Sequence, residues 1–233
     1  MRLVLCLLLT LVIVLPLGTV WAAPIDDAAA ANERGDYAAE FRITRPLAAK
    51  GEAWAQSFLG LSYKNGEGVP KNDAEAVKWF RLAAAQGDAN AQNNLGLMYA
   101  QGQGVVQDYV EAGKWFRLAA EQGIASAQYN LGVMYAQGQG VVQDYVEAVK
   151  WYRLAAAQGN ANAQYNLGLM YGKGQGVPMD DVRAHMWFNL AAVTGNADAV
   201  KNRDIAAKNM TPQQMAEAQK LARECQARNF KNC

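Results

Sequence analysis

The sequence is poor in the side chains from which most metal and nucleophilic sites are built. It contains a single histidine, His185. Cysteine and serine occur three times each, at Cys6, Cys225, Cys233, Ser57, Ser62 and Ser126. A zinc site needs several His or Cys ligands brought together, so His185 is expected to be a packed side chain and not a metal ligand. The composition therefore predicts no metal site, no cofactor and no catalytic residues.

The chain also lacks an excess of charge of either sign. The chain carries 22 Lys and Arg residues against 21 Asp and Glu residues, for a formal net charge of +1. Without a basic stripe there is no electrostatic basis for binding nucleic acid or an anionic membrane surface.

Proline is scarce after residue 70 and β-branched residues are sparse outside the first segment, whereas Ala, Leu and Gln are prominent. This mixture predicts an all-α fold.

The first 22 residues have the pattern of a secretory signal peptide. Arg2 precedes an almost unbroken apolar run over residues 3–15, which Pro16 and Gly18 bring to an end. The sequence Val20-Trp21-Ala22 places small residues at the −3 and −1 positions of a cleavage site. We expect cleavage after Ala22, export to the periplasm or the outside of the cell, and no membrane attachment afterwards. The alternative is an uncleaved anchor, since the apolar stretch could just span a bilayer.

Most of the remaining chain repeats with a period of 36 residues. The recurring sets are Trp79, Trp115, Trp151 and Trp187; Tyr63, Tyr99, Tyr135 and Tyr171; and Gly66, Gly102, Gly138 and Gly174. Residues 87–122 and 123–158 differ at only seven positions. Self-similarity at a fixed period of this length is the signature of a repeat architecture in which each unit is one supersecondary element.

Each unit reads as two helices, here called A and B. In residues 87–122, helix A is predicted from about Ala89 to Gln101, with one apolar face formed by Ala91, Leu95, Met98 and Tyr99. Gly102-Gln103-Gly104 should end it, because glycine tolerates the left-handed conformation that closes a helix. A dinucleotide-binding loop would need a preceding strand and a third glycine, so the G-x-G loops predict helix ends and not a nucleotide site.

Helix B is predicted to begin at Asp108, where the spacing to Glu111 is that of a capping box. The same spacing recurs at Asn72/Glu75 and Asp144/Glu147, whereas Asp180 is followed by Arg183. The buried face of helix B should consist of Ala112, Phe116, Ala119 and Ala120. One such hairpin cannot bury its apolar face alone, so the units are predicted to stack into an α/α superhelical solenoid.

These motifs resemble the Sel-one-like repeat family, a relative of the tetratricopeptide repeats. The residues that carry the resemblance in one unit are Ala91, Leu95-Gly96, Tyr99, Gly102, Gly104-Val105, Asp108, Ala112, Trp115, Ala119-Ala120 and Gly123. It covers four full units, 51–86, 87–122, 123–158 and 159–194. The resemblance implies an adaptor or regulatory protein that binds other proteins, in bacteria often linked to envelope signalling or host contact.

The resemblance also implies an alternative, because some cysteine-rich relatives have been linked to penicillin binding or β-lactamase activity. Those relatives carry paired cysteines within their repeats, and this chain has none there. It also contains no Ser-x-x-Lys sequence from which a serine acylase could draw a nucleophile and base. A non-enzymatic scaffold is therefore favoured over a cell-wall enzyme.

The segments that flank the repeats are expected to cap the solenoid. Residues 23–50 should form a helical cap at the N-terminus, in which Pro46 interrupts a helix that resembles helix B. Residues 195–233 should form the C-terminal cap, with Thr211 as N-cap and Pro212 as first residue of a final helix reaching about Arg228.

Cys225 and Cys233 lie in this cap and leave two alternatives open. An oxidising compartment favours a disulfide between them. A continuous helix would hold two positions eight residues apart at about 12 Å, too far to bridge, so a disulfide requires the helix to end near Arg228. The other alternative is two free or intermolecular thiols.

The candidate binding surface lies opposite the buried stripe of helix A. Its positions, spaced i and i+4 in each of the four units, are Ser57, Leu61, Asn93, Leu97, Tyr129, Val133, Tyr165 and Leu169. The inner helices of a helix-pair solenoid line a concave groove. A row that contains Tyr129, Val133, Tyr165 and Leu169 is apolar for a solvated face, and tyrosine is enriched where proteins dock. We therefore predict that this groove binds a partner protein or peptide.

Overall fold

The computed structural model describes residues 23–231 and residue 233, so the predicted signal peptide at residues 1–22 lies outside the described part of the chain. The described residues form twelve α-helices and no strand. The helices are α1 Ala23–Glu33, α2 Tyr37–Ala49, α3 Ala53–Asn65, α4 Asp73–Ala85, α5 Ala89–Gln101, α6 Tyr109–Glu121, α7 Ala125–Gln137, α8 Tyr145–Ala156, α9 Ala161–Lys173, α10 Asp181–Ala192, α11 Ala197–Ala207 and α12 Pro212–Ala227.

Consecutive helices pack as antiparallel pairs, and the pairs stack into a solenoid. The four repeats are α3–α4, α5–α6, α7–α8 and α9–α10, and the second helix of each pair packs against the first helix of the next. The first helices, α3, α5, α7 and α9, are the A helices, and α4, α6, α8 and α10 are the B helices. The pair α1–α2 precedes them, and α11 and α12 follow. The predicted all-α solenoid is thus the observed fold.

The predicted faces of both helices form the core. In the repeat α5–α6, Ala91, Leu95 and Met98 of the A helix are fully buried, and so are Ala112 and Ala119 of the B helix. Burying one large apolar side chain contributes about 1.5–3 kcal/mol, and each repeat supplies such residues to the interfaces on both sides. Alanine at the closest positions lets neighbouring helices approach, which is why the pattern alternates large and very small side chains.

The glycines after each A helix serve two purposes. Gly102 ends α5 in the left-handed conformation, with φ of 67°. Gly104 also has a positive φ, and a Cβ added there would lie 2.3 Å from the backbone oxygen of Asp73 in the preceding repeat. The loop therefore touches the backbone of the neighbouring B helix, a contact that only glycine permits.

The capping boxes predicted at the B helices are only half formed. The Asp108 side chain accepts hydrogen bonds from the backbone N–H groups of Val110 and Glu111, as predicted. The reciprocal half is wrong, because the Asp108 N–H donates to the carbonyl oxygen of Tyr99 at 3.0 Å. Glu111 is left free to pair with Lys114, one turn along the helix. The complete box is at Thr211 and Gln214 of α12.

Pro46 does not interrupt its helix, which corrects the prediction made for the N-terminal cap. Helix α2 runs from Tyr37 to Ala49 with Pro46 in its last turn. Pro46 is exposed, so water can hydrate the carbonyl group that lost its N–H partner. Three N–H groups beyond the proline, those of Lys50, Gly51 and Glu52, still bond to carbonyls in this turn. The cap is a helix pair, α1–α2.

A glutamine network joins each repeat to the next. The buried Gln92 donates to the carbonyl oxygen of Ala84 at 3.2 Å and accepts from Gln122 at 2.7 Å. Gln122 also donates to the carbonyl oxygen of Gly87 at 3.0 Å. The same three bonds recur one repeat earlier at Gln56 and Gln86. The seams up to the third repeat thereby satisfy their buried glutamine side chains, which fixes the register of stacking. At the seam before the fourth repeat, Gln164 still donates to the carbonyl oxygen of Ala156, but Thr194 replaces the second glutamine.

The C-terminal helix covers the outer face of the last repeat. Helix α12 packs on α10, and Leu190 of α10 is buried. Its equivalents Leu82, Leu118 and Leu154 are 44–45% exposed in the repeats that α12 does not reach.

Beyond α12, Cys225 and Cys233 form a disulfide with Cα atoms 5.5 Å apart. The helix ends at Ala227, close to the end that a bridge requires.

Candidate protein-binding groove

The A helices lie side by side along one face of the solenoid and are linked by side chains. Ser57 of α3 donates to the carboxylate of Asp88, the N-cap of α5, at 3.1 Å. Lys64 of α3 donates to Oδ1 of Asn94 at 2.9 Å. Helices α3 and α5 also touch directly, as the inner helices of a curved solenoid do. We call this surface the A-helix face.

The structure places the residues of the predicted groove together on the A-helix face. Ser57 is buried and bonded to Asp88, so it belongs to the packing between repeats and offers little surface to a ligand. The other seven are partly exposed, namely Leu61, Asn93, Leu97, Tyr129, Val133, Tyr165 and Leu169. They form two rows that run from repeat to repeat along the A-helix face.

Tyr129 and Tyr165 are half-buried and held in place by aromatic neighbours. The Tyr129 ring lies 6.1 Å from that of Tyr152, and the Tyr165 ring lies 5.8 Å from that of Phe188. Burial raises the pKa of both tyrosine hydroxyls above its ordinary value. Both side chains are therefore neutral at physiological pH, and each presents an ordered apolar edge with a hydroxyl group.

A row of asparagines beside the tyrosines was missed in the sequence. Asn94, Asn130, Asn166 and Asn202 recur at the 36-residue period on α5, α7, α9 and α11. Asn202 donates to the hydroxyl of Tyr165 at 3.0 Å, and Asn166 partly offsets the rise in the pKa of Tyr129. The period itself was the signal that could have revealed them. Carboxamides can both donate and accept, and Asn94 does both, since it accepts from Lys64 and donates to the carbonyl oxygen of Asn90.

The N-terminal end of the A-helix face differs from the rest. Lys64 stands where later repeats have Ala100, Ala136 and Gly172. Burial lowers the pKa of the Lys64 ammonium group, and the nearby Asp73 carboxylate partly offsets this effect. The groove therefore passes from a cationic end at α3 to an apolar and aromatic end at α9.

His185 is a packed side chain of α10. It is 3% exposed, and its Nδ1 has no hydrogen-bond partner. Burial lowers its pKa, and the positive charge of Arg203 on α11 lowers it further, while Asp204 partly offsets both effects. No group of three or more His, Cys, Asp or Glu residues is arranged for a metal ion within residues 23–231.

These features define an α-helical repeat protein whose A helices lie side by side along one face. The Sel1 repeat matches residues 55–88, 89–124, 125–160 and 161–192, more than half of the chain. The protein belongs to the Sel1 repeat family, whose repeats typically mediate protein interactions.

Two solved structures share the fold. One is a protective antigen present in uropathogenic Escherichia coli strains and displaying an SLR fold, with a TM-score of 0.77 and 36% identity. The match covers 82% of this chain and 41% of that antigen, so the chain spans less than half the antigen's length. The other is a Sel1 repeat protein from Oxalobacter formigenes, with a TM-score of 0.67 and 32% identity over 81% of this chain and 86% of that one. No curated protein matches the chain.

In the described part of the chain, no helix has the length and hydrophobicity needed to cross a bilayer.

Proposed function

We propose that the protein is a non-enzymatic scaffold that binds a partner protein, as an extended peptide segment, along the A-helix face. The observation that carries the proposal is the groove itself, in which partly exposed Leu, Val and Tyr side chains recur beside a row of carboxamides. Apolar positions can accept alternate side chains of a peptide while the asparagines pair with its backbone. Tyr129 and Tyr165 are the candidate anchors, since ordered aromatic residues dominate binding energies at such surfaces.

The proposed location is the periplasm or the outside of the cell. The signal-peptide pattern over residues 1–22 supports export, and the Cys225–Cys233 bridge is of a kind that persists in oxidising compartments. No arrangement of side chains in the described residues favours the alternative of a cell-wall enzyme.

The groove can be tested by exchanging residues between repeats. The double variant Tyr129→Asn, Tyr165→Asn places asparagine at two positions whose equivalent in α5 is already an asparagine, Asn93. The fold therefore already accommodates this residue at the equivalent position. Peptides selected from a random displayed library on the wild-type chain should bind the double variant at least about tenfold more weakly, the effect expected from losing aromatic anchors. Affinity is measured by titration, and folding by helical circular dichroism and the melting midpoint.

Two controls separate groove, outer face and core. Leu118→Asn with Leu154→Asn removes two apolar side chains from the outer face and should leave peptide affinity unchanged. Trp151→Ala empties a buried site in the core, should cost roughly 3–5 kcal/mol of stability and should affect binding only through unfolding. Full-strength binding by a folded Tyr129→Asn, Tyr165→Asn variant would place recognition elsewhere on the molecule.

Export has its own test. The N-terminal residue of the protein recovered from the periplasm or medium should be Ala23, because the predicted cleavage follows Ala22. Edman sequencing or terminal-peptide mass spectrometry reads this directly. A chain that starts at Met1 in a membrane fraction would instead be an anchored protein.

A further inference from the structure

A cavity opens at the end of the A-helix face, where α9, α10 and α11 meet. Its volume is about 180 Å³, below the roughly 300–1,000 Å³ of sites that take drug-sized ligands, so it suits a single side chain. The residues that line it and matter here are Leu169, Gly172, Asp181, Phe188, Asn202 and Ile205. Leu169 belongs to the predicted groove and Asn202 to the asparagine row, so the cavity is continuous with the A-helix face.

The cavity lies where the fourth repeat lacks a tyrosine that the second and third repeats have, and where Ala206 of α11 stands at the position of Met134 and Met170. Asp181 is the first residue of α10, and its equivalents in α6 and α8 are Tyr109 and Tyr145. Each tyrosine packs against the apolar cluster of its repeat. Replacing a phenol ring by a carboxylate at this position removes most of the side chain that fills the space.

Two further substitutions lie near the same position in the fourth repeat. Gln107 donates to both the hydroxyl of Tyr109, at 3.1 Å, and the carbonyl oxygen of Ala100, at 2.7 Å, which places that hydroxyl at the end of α5. In the fourth repeat Met179 replaces this glutamine and Gly172 replaces the alanine. The fourth repeat thus lacks the ring, its glutamine partner and a methyl group from the wall.

We propose that this cavity binds a tyrosine side chain of the peptide that occupies the groove. The neighbouring repeats carry a phenol ring at the equivalent position, since Tyr109 and Tyr145 stand where Asp181 does and pack against apolar clusters. Phe188 and Leu169 offer the ring an apolar contact, and the carboxylate of Asp181 can accept a hydrogen bond from the phenol hydroxyl. The inference rests on the proposed function, because it takes the groove to hold a peptide.

The test uses p-cresol, which is the tyrosine side chain without its backbone, and two variants that refill the cavity. Asp181→Tyr restores the residue of the second and third repeats, and Gly172→Leu directs a new side chain into the cavity from α9, where an added Cβ would lie 3.7 Å from Ala184. Saturation-transfer NMR on the purified chain should detect p-cresol binding, and each variant should weaken it at least about tenfold. Asp73→Tyr, the same change in the first repeat, is the matched control and should leave it unchanged.

Peptide binding then separates this inference from the proposed function. Peptides selected on the wild-type chain should be enriched in tyrosine, and Asp181→Tyr should weaken them by at least about tenfold while its melting midpoint stays at or above that of the wild type. If the wild-type chain binds selected peptides but not p-cresol, or if Asp181→Tyr leaves peptide affinity intact, the tyrosine site is overturned and the groove stands. If p-cresol binds but no peptide can be selected, both the peptide role of the cavity and the proposed function fail.

Discussion

At the scale of single residues, the repeats act as internal controls, because each position can be compared with its equivalents in the same fold. Gly113 shows this. It stands in the middle of helix α6, where the neighbouring repeats have the buried residues Val77 and Val149. Glycine within a helix loses more backbone entropy on folding than any other residue, and no turn or positive φ requires it at this position.

Gly113→Ala is therefore expected to stabilise the protein. The helix gains roughly 1 kcal/mol, which for a chain of this size raises the melting midpoint by about 2–4 °C. The new Cβ would lie 3.1 Å from Cε of Met134, the free end of a flexible side chain that can move aside. Differential scanning calorimetry measures the change.

The control for Gly113 is Gly96→Ala, whose Cβ would lie 2.7 Å from the ring of Phe116. That variant should lose stability, because a packed ring cannot retreat. A loss in Gly113→Ala as well would mean that Met134 is held as firmly as Phe116.

His185 is a second position at which the equivalent residues suggest a substitution. Its pKa lies below the ordinary value, so the neutral form is favoured in the folded state. The stability that depends on neutral His185 is present above the ordinary pKa of about 6.5 and is lost as the pH falls through the lower folded value. His185→Val, which copies Val149, also removes the buried Nδ1 that has no partner.

The stability difference between His185→Val and the wild type should therefore grow as the pH is lowered from 7 to 4. Urea unfolding at a series of pH values measures this difference, in which contributions from groups common to both proteins cancel. The charged neighbours that face His185, Arg203 and Asp204, are unchanged in both. A difference independent of pH would show that His185 does not titrate differently in the folded protein.

At the scale of helices, the sequence predicted the position of the elements better than the chemistry of their ends. The A helix of the second repeat begins and ends where its apolar pattern and glycine loop indicated, at Ala89 and Gln101. The predicted capping box is incomplete because the Asp108 N–H donates instead to the carbonyl oxygen of Tyr99, nine residues earlier. A local sequence pattern cannot reveal this second acceptor, since the Tyr99 carbonyl comes close to Asp108 only when the loop folds back on the A helix.

The bridge between Cys225 and Cys233 closes a short loop directly after the C-terminal helix. Phe230, inside the bridged loop, packs within 3.4 Å of the position a Cβ would take at Gly159 in the fourth repeat. Opening the bridge frees this loop, and a disulfide that closes a short loop is worth about 2–4 kcal/mol. We expect reduction to speed amide hydrogen exchange in α12 while α5–α8 keep their protection.

Mass spectrometry after exchange, with and without a reductant, measures the effect of the bridge helix by helix. The double variant Cys225→Ser, Cys233→Ser should behave like the reduced wild type in both conditions. Alkylation of Cys225 in the untreated protein would instead mean that the thiols are free.

At the scale of the whole molecule, the period of 36 residues predicted the solenoid, and that prediction is confirmed. The cavity between α9, α10 and α11 could not be predicted in the same way. Its wall combines Gly172 of α9 and Asp181 of α10 with residues of α11, and neither substitution stands out in the sequence of its own helix. Such a space becomes visible only when the fourth repeat is compared with the second and third in three dimensions.

The glutamine seams have a consequence for how the molecule can change its length. The seams around residues 87–122 and 123–158 use the same donors and acceptors. An extra copy of either unit inserted at Gly123 would therefore form the same glutamine hydrogen bonds with the repeats on both sides. The last seam is different, because Thr194 stands where Gln122 and Gln158 stand earlier. Recombination within the nearly identical central units would therefore lengthen or shorten the A-helix face by whole 36-residue repeats. The N-terminal and C-terminal caps would stay the same.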